Sequence, residues 1–201
     1  MGRRKAFDPG EALGGAIRVF RRRGYAGASV EHLTQAMGIR RASAYATFGG
    51  KRALFLQCLQ AYAGGTAGGI AERLDAAADP RAGLRAVLLD VARRAAEGEG
   101  RDGCLLTNTA AELSGLDREV AAAVRAALAE IEEAYYRTLL RAREAGTFDP
   151  ARDPRAVARL LMATMHGLRI MGQAGADARA LRSVAEEALR CLGPAPEEEE
   201  R

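Results

Sequence analysis

Glycines at positions 24, 38 and 49–50 cut the first quarter of this chain into one helix-length segment and two very short ones, and few folds accommodate that punctuation. Asp8-Pro9 opens the first segment with an acid that caps free N–H groups and a proline where its missing N–H costs nothing. Leu13, Ala16, Ile17 and Phe20 follow at helical spacing. Arg21, Arg22 and Arg23 put cations in the last turn, where they suit the helix dipole, and Gly24 suits a left-handed exit. A helix over 9–23 is therefore expected. Ser29 then caps a short helix that turns Val30, Leu33 and Met37 inward and stops at Gly38. Ile39 leads into a second short helix beginning at Arg40-Arg41 and ending at Phe48. Two short helices around a tight glycine turn outline a helix-turn-helix.

The helical period continues downstream. A fourth helix opens near Lys51, with Leu54, Phe55, Cys58, Leu59 and Tyr62 as its apolar stripe. Helices are expected over roughly 51–76, 80–97, 104–114, 117–145, 153–173 and 177–192, broken by prolines 80, 150 and 154, by the glycine-containing loop at 98–103 and by glycines 115 and 146. Gly64, Gly65, Gly68 and Gly69 interrupt the fourth helix, each at a cost of about 1 kcal/mol relative to alanine. They permit a bend or close packing there, or else the helix simply ends near residue 63. Ala, Leu, Arg and Glu dominate, aromatics make up only 5%, and β-branched residues never alternate in a bounded run. The fold class is all-α, with about nine helices. Residues 194–201, ending in Glu197 through Glu200, read as a disordered acidic tail.

The net charge of +4 conceals an asymmetry. Residues 1–52 hold eleven cations against three acids, or +8; the remainder holds nineteen against twenty-three, or −4. A small basic module on an acidic body is the layout of a nucleic-acid binder. No signal-peptide stretch follows Met1, and no apolar run is long enough to span a bilayer. Cys58, Cys104 and Cys191 are odd in number and lack paired spacing, as in a reduced interior. A soluble, cytoplasmic protein without a membrane partner is expected. Only His32 and His166 are present, and no cysteine/histidine cluster has metal-ligand spacing. No glycine-rich phosphate loop follows a strand, and there is no G-x-S-x-G elbow. Neither an enzyme nor a metal or cofactor is expected.

Four spaced elements then coincide: Gly24-Tyr25 after the first helix, Gly38-Ile39 in the turn, Tyr45-Ala46-Thr47-Phe48 closing the third helix, and Lys51-Arg52-Ala53-Leu54 opening the fourth. In this register residues 9–56 resemble the N-terminal signature of the tetracycline repressor (TetR/AcrR) family. Three positions depart from it. Ala28 stands where many members have Thr, Ala44 replaces a larger apolar residue, and Thr47 replaces a frequent His. The resemblance implies residues 1–52 as a three-helix DNA-binding domain and 53–193 as a helical ligand-binding and dimerisation domain.

Arg40 and Arg41 begin the recognition helix, the end that faces base edges. An arginine fork grips guanine O6 and N7 together, discriminating by roughly 1–3 kcal/mol. Arg41 is the candidate base reader, and Arg40 reads base or phosphate. Lys51 adds a charge to helix N-terminal amides that already favour an anion. The resemblance implies phosphate contacts for Ser43, Tyr45 and Thr47, with Ser29 beside them. Arg3, Arg4 and Lys5 form a basic arm. One such module touches few bases, so a homodimer on a palindromic double-stranded operator is implied. Val157, Leu160, Leu161, Thr164, Leu168 and Met171 line one late helix, and Leu181, Val184, Ala185, Ala188 and Leu192 the other. These faces suit either a four-helix interface between subunits or an internal core.

The resemblance also implies a cavity for a small-molecule effector. Candidates are Asn108, Thr109, Tyr135, Met162, Met165 and His166, adaptable walls with a few polar handles. Cys104 opens a helix within Gly103-Cys104-Leu105-Leu106, a pattern resembling that of members that sense electrophiles, and a thiol there gains thiolate character from the helix N-terminus. The expected function is a ligand-responsive DNA-binding repressor. Alternatives are a ligand-independent architectural DNA binder and a thiol-based redox or electrophile sensor acting through Cys104.

Overall fold

The computed structural model describes residues 7–193. The basic arm at Arg3, Arg4 and Lys5 and the acidic tail at 194–201 lie outside the described residues. Among the described residues, nine α-helices and no strand are found: α1 (Pro9–Gly27), α2 (Val30–Met37), α3 (Arg41–Phe48), α4 (Lys51–Asp75), α5 (Pro80–Ala96), α6 (Leu105–Leu113), α7 (Arg118–Glu144), α8 (Pro154–Gln173) and α9 (Ala178–Leu189). Helix starts follow the capping chemistry of the sequence. Asp8, Asp79, Asp153 and Asp177 each accept a backbone N–H from the first turn of the helix that follows, worth about 1 kcal/mol apiece. One difference from sequence expectation stands out: α1 runs past Gly24 to Gly27 across a kink. α4 carries through its four glycines to Asp75, as expected over 51–76 and not ending near residue 63. A Cβ at any of the four would meet nothing within 4 Å, so they serve no close packing.

The chain divides into two compact units, the first comprising residues up to Gly65 together with Cys104–Arg125, the second Thr66–Gly103 with the residues from Ala126 onward. In the first, α1 packs on α2 and α6, and α2 on α3. Ala12, Gly15, Ala16 and Phe20 form the buried stripe of α1. A Cβ on Gly15 would run into the carbonyl of Ala36, so glycine is what lets α1 and α2 approach so closely. Phe20 meets Phe55 edge-on at 4.9 Å, and the Tyr25 ring lies 4.9 Å from Phe55. Cys58 is fully buried, and burial pushes its thiol up to about 12.

In the second unit, α5 packs against both α8 and α9. Gly172 of α8 allows this, because a Cβ there would collide with the backbone of Ala95. Arg81 donates from its guanidinium to the carbonyls of Thr147, Leu192 and Gly193, and Arg141 to those of Leu74 and Ala77. Asp90 of α5 gathers three arginines: Arg73 at 2.8 Å, Arg93 at 2.7 Å and Arg94 at 2.9 Å. Partial burial works to raise its carboxyl, but hydrogen bonds from Arg93, Arg94 and Arg73 outweigh this and hold it below the ordinary value. A folded-state value depressed in this way stabilises the fold above the unfolded aspartate range near about 3.9, and the contribution fades as pH falls through the lower, folded value. Asp90→Asn is therefore expected to lower the thermal midpoint at neutral pH. The gap from wild type should narrow in acid, as read from melting curves; a pH-independent gap would rule out the ionised carboxylate as the cause.

Candidate DNA interface

The helix-turn-helix is fixed by local bonds at each corner. Ser29 caps α2 in a reciprocal box: its Oγ accepts from the His32 N–H at 3.1 Å, while its own N–H donates to His32 Nδ1 at 3.3 Å. Gly38 takes the left-handed conformation at φ 66°, and its N–H and that of Ile39 reach back to the carbonyls of Gln35 and Thr34. Arg40 then flanks α3 in extended conformation without a side-chain cap, and Gly49 at φ 79° ends it.

α3 turns only Ala44 and Phe48 into the core, four residues apart on one face. Arg40, Arg41, Ala42, Tyr45 and Ala46 are exposed, and Ser43 and Thr47 are half-buried. Phe48 is thus core, as its spacing suggests, and both arginines stand in solvent at the first turn. The Arg41 guanidinium lies 5.6 Å from the centroid of the Tyr45 ring, itself 42% exposed. A guanidinium over an aromatic face is partly pre-ordered, so it gives up less rotamer freedom when its fork meets a base edge. Lys51 is half-buried, its Nζ 4.5 Å from the Tyr25 ring centroid and 3.5 Å from the Ala26 carbonyl. A cleft between α2, α3 and the start of α4 has a volume of only about 20 Å³, room for one water and not for an effector.

Sequence reasoning missed the residues that brace this reader. Arg52 pairs with Asp117 at 3.0 Å and Glu119 at 2.6 Å, and its hydrogen bond holds the Asp117 carboxyl below the usual range. Glu112 accepts from the Tyr25 and Ala26 N–H groups at 2.8 and 2.7 Å, and the Asn108 amide donates to the Arg21 carbonyl at 3.0 Å. A faint signal was present: Asn108 and Glu112 are four apart, hence on one face of their helix.

The effector candidates are distributed over both units. Cys104, Asn108 and Thr109 belong to the first, and Tyr135, Met162, Met165 and His166 to the second. Cys104 precedes α6 as its N-cap residue and is 1% exposed; Thr109 is buried. Tyr135 is wholly buried, its hydroxyl donating to Met165 Sδ at 3.7 Å, and burial first of all pushes the phenol up to about 12. Met162 and His166 are half-buried.

α8 carries two apolar faces. Val157, Leu161 and Leu168 point into the core, as do Leu181, Ala185 and Leu192 from the end of the chain. Leu160 and Ile170 are left out, 47% and 52% exposed. With Ala156, Ala163, Gly167 and Ala174 they form a stripe stepping alternately by four and three residues, the period of a helix–helix seam.

A capped helix pair with solvent-facing arginines, followed by a larger helical body, defines a helix-turn-helix DNA-binding regulator. Residues 12–58 match the profile of the family "Bacterial regulatory proteins, tetR family", and residues 80–188 match "Tetracyclin repressor-like, C-terminal domain". The chain is 32% identical over 193 residues to the HTH-type transcriptional regulator YezE of Bacillus subtilis (strain 168), covering 96% of this chain and 100% of that one. It is 34% identical over 105 residues to the HTH-type transcriptional repressor BdcR of Escherichia coli (strain K12), covering about half of each chain, 52% and 53%. Among solved structures, a cysteine mutant of the TetR family regulator CifR, complexed with 26bp double-strand operator DNA, superposes with a TM-score of 0.83 at 31% identity, covering 95% of this chain and 100% of that one. The chain belongs to the TetR family of transcriptional regulators.

Proposed function

We propose that this regulator is a ligand-responsive repressor: a homodimer binds a palindromic operator, and a small apolar or electrophilic molecule bound among the C-terminal helices releases it. The observation that carries the reading is the exposed arginine pair, Arg40 and Arg41, on a short helix whose opposite face is fully committed to the core. In this reading Arg41 reads a base edge, Arg40 a base or phosphate, and Ser29, Ser43, Tyr45, Thr47 and Lys51 hold phosphates. Residues 1–52 form the reader and 53–193 the effector and dimerisation domain. The exposed stripe on α8 supports the homodimer, since apolar residues at seam spacing gain by being covered. Among the described residues no helix is long and apolar enough to cross a membrane, in keeping with action in the cytoplasm.

Selection of bound duplexes from a random pool at moderate salt is expected to return a palindrome. Arg41→Ala should then weaken operator binding by about 1–3 kcal/mol for each half-site, twice that for the dimer, and relax the preference at one position in each half-site. Equal binding to all duplexes would favour the architectural reading instead. The thiol-sensor reading is disfavoured by burial, because Cys104 at 1% exposure meets no solvent-borne electrophile without prior opening of the fold.

A further inference from the structure

Gly24 breaks the hydrogen-bond ladder of α1, with φ 67° and ψ −177° inside the helix. In an unbroken helix the Tyr25 N–H would donate to the Arg21 carbonyl. Here both halves of that bond are supplied from α6. Asn108 donates to the Arg21 oxygen, and the two oxygens of Glu112 accept separately from Tyr25 and Ala26. Gly24 is favoured for its positive φ, and a Cβ there would lie 2.6 Å from the Glu112 carboxylate and push it off the two N–H groups. A carboxylate bridging two backbone donors is a strong, geometrically defined contact.

The same two residues also contact Lys51. Its ammonium sits 4.5 Å from the Tyr25 ring centroid and 3.5 Å from the Ala26 carbonyl oxygen. The ring itself is backed by Phe55 at 4.9 Å. A chain of direct contacts thus runs from Glu112 through the Tyr25–Ala26 backbone to Lys51.

We infer that Glu112 is a positioning residue for DNA binding: from α6 it fixes the Tyr25–Ala26 segment against which the Lys51 ammonium is aimed at a phosphate. The inference rests on the proposed phosphate contact of Lys51 and adds to it a residue distant in sequence. Loosening of the Glu112 bridge would release the lysine without touching the recognition helix.

The test is a double-mutant cycle on the full chain, read as operator affinity across a salt series. Lys51→Met should lower the slope of log K against log salt by about 0.9 for each phosphate that the lysine no longer neutralises. Glu112→Gln retains size but turns an N–H toward a backbone N–H. It should weaken binding about fivefold or more, lower the salt slope in the same sense, and speed amide exchange at Tyr25 and Ala26. In the Lys51→Met background Glu112→Gln should have almost no further effect on affinity. A merely structural glutamate would weaken both backgrounds by the same factor, and that result, or no effect of Glu112→Gln in the wild-type background, overturns the inference. An unchanged salt slope in Lys51→Met alone would instead remove the phosphate interaction on which it rests.

Discussion

Introducing Leu160→Glu together with Ile170→Glu is expected to leave each chain folded but monomeric, with operator affinity reduced a thousandfold or more. Both side chains are about half exposed in the single chain, so a carboxylate at either position stays hydrated there and surface changes of this kind cost little. In a homodimer built on this stripe the same carboxylates would enter a dry seam in symmetric pairs. A buried charge left without a partner costs several kcal/mol, and twofold symmetry brings every substitution in twice. A single reader then keeps only half of the DNA interface, leaving binding closer to the sequence-independent level, typically about 10³-fold or more weaker. Molecular mass by light scattering and operator binding should fall together. A variant that remains dimeric would place the interface elsewhere; one that is monomeric yet binds tightly would dispense with the dimer altogether.

Gly15→Ala should have the second large effect, and in the opposite place, inside the reader. The added methyl would point at the Ala36 carbonyl and the Met37 backbone, atoms that move only if α2 moves. Overpacking a tight core costs roughly 1–3 kcal/mol where side chains can adjust, and backbone against backbone allows less adjustment. A loss of about 3 kcal/mol in a chain of this size lowers the melting midpoint by roughly 6–12 °C. Because α2 carries the turn into α3, a displacement there also misplaces Arg40 and Arg41, so operator affinity should fall more than stability alone explains. The glycines of α4 provide the control. Around Gly64, Gly65, Gly68 and Gly69 a Cβ would meet nothing within 4 Å, so alanine should stabilise the helix by up to about 1 kcal/mol at each. If Gly15→Ala melts like wild type, α1 and α2 can part without harm, and the close crossing is not what secures the reader.

The punctuation of the first fifty residues was legible because its causes are local. Asp8 and Ser29 cap, Gly38 turns left-handed, and Gly49 stops α3, all through bonds to residues a few positions away. The same holds for the exposure of Arg40 and Arg41, since Ala44 and Phe48 on one face leave the first turn outward. Gly24 was legible in its positive φ but not in its consequence. An exit was expected, whereas the helix resumes because Glu112, more than eighty residues on, stands in for the acceptors that the kink removes. Beyond its spacing of four from Asn108, nothing in the sequence distinguishes Glu112 from a solvated surface acid.

The late helices show the same boundary. Periodicity marked Leu160 and Leu161 alike as apolar positions of one helix; packing buried Leu161 at 1% exposure and left Leu160 at 47%. The amino-acid order alone settled which segments are helical, where they begin and, apart from α1, roughly where they end, and which cations gather in the reader, because capping, backbone freedom and charge act over one or two turns. The assignment of each apolar side to core or surface, and the pairing of Glu112 with Tyr25 and of Arg52 with Asp117, belonged to the folded chain. Those pairings join residues far apart in sequence, and their partners are chosen by which helices the whole core brings together.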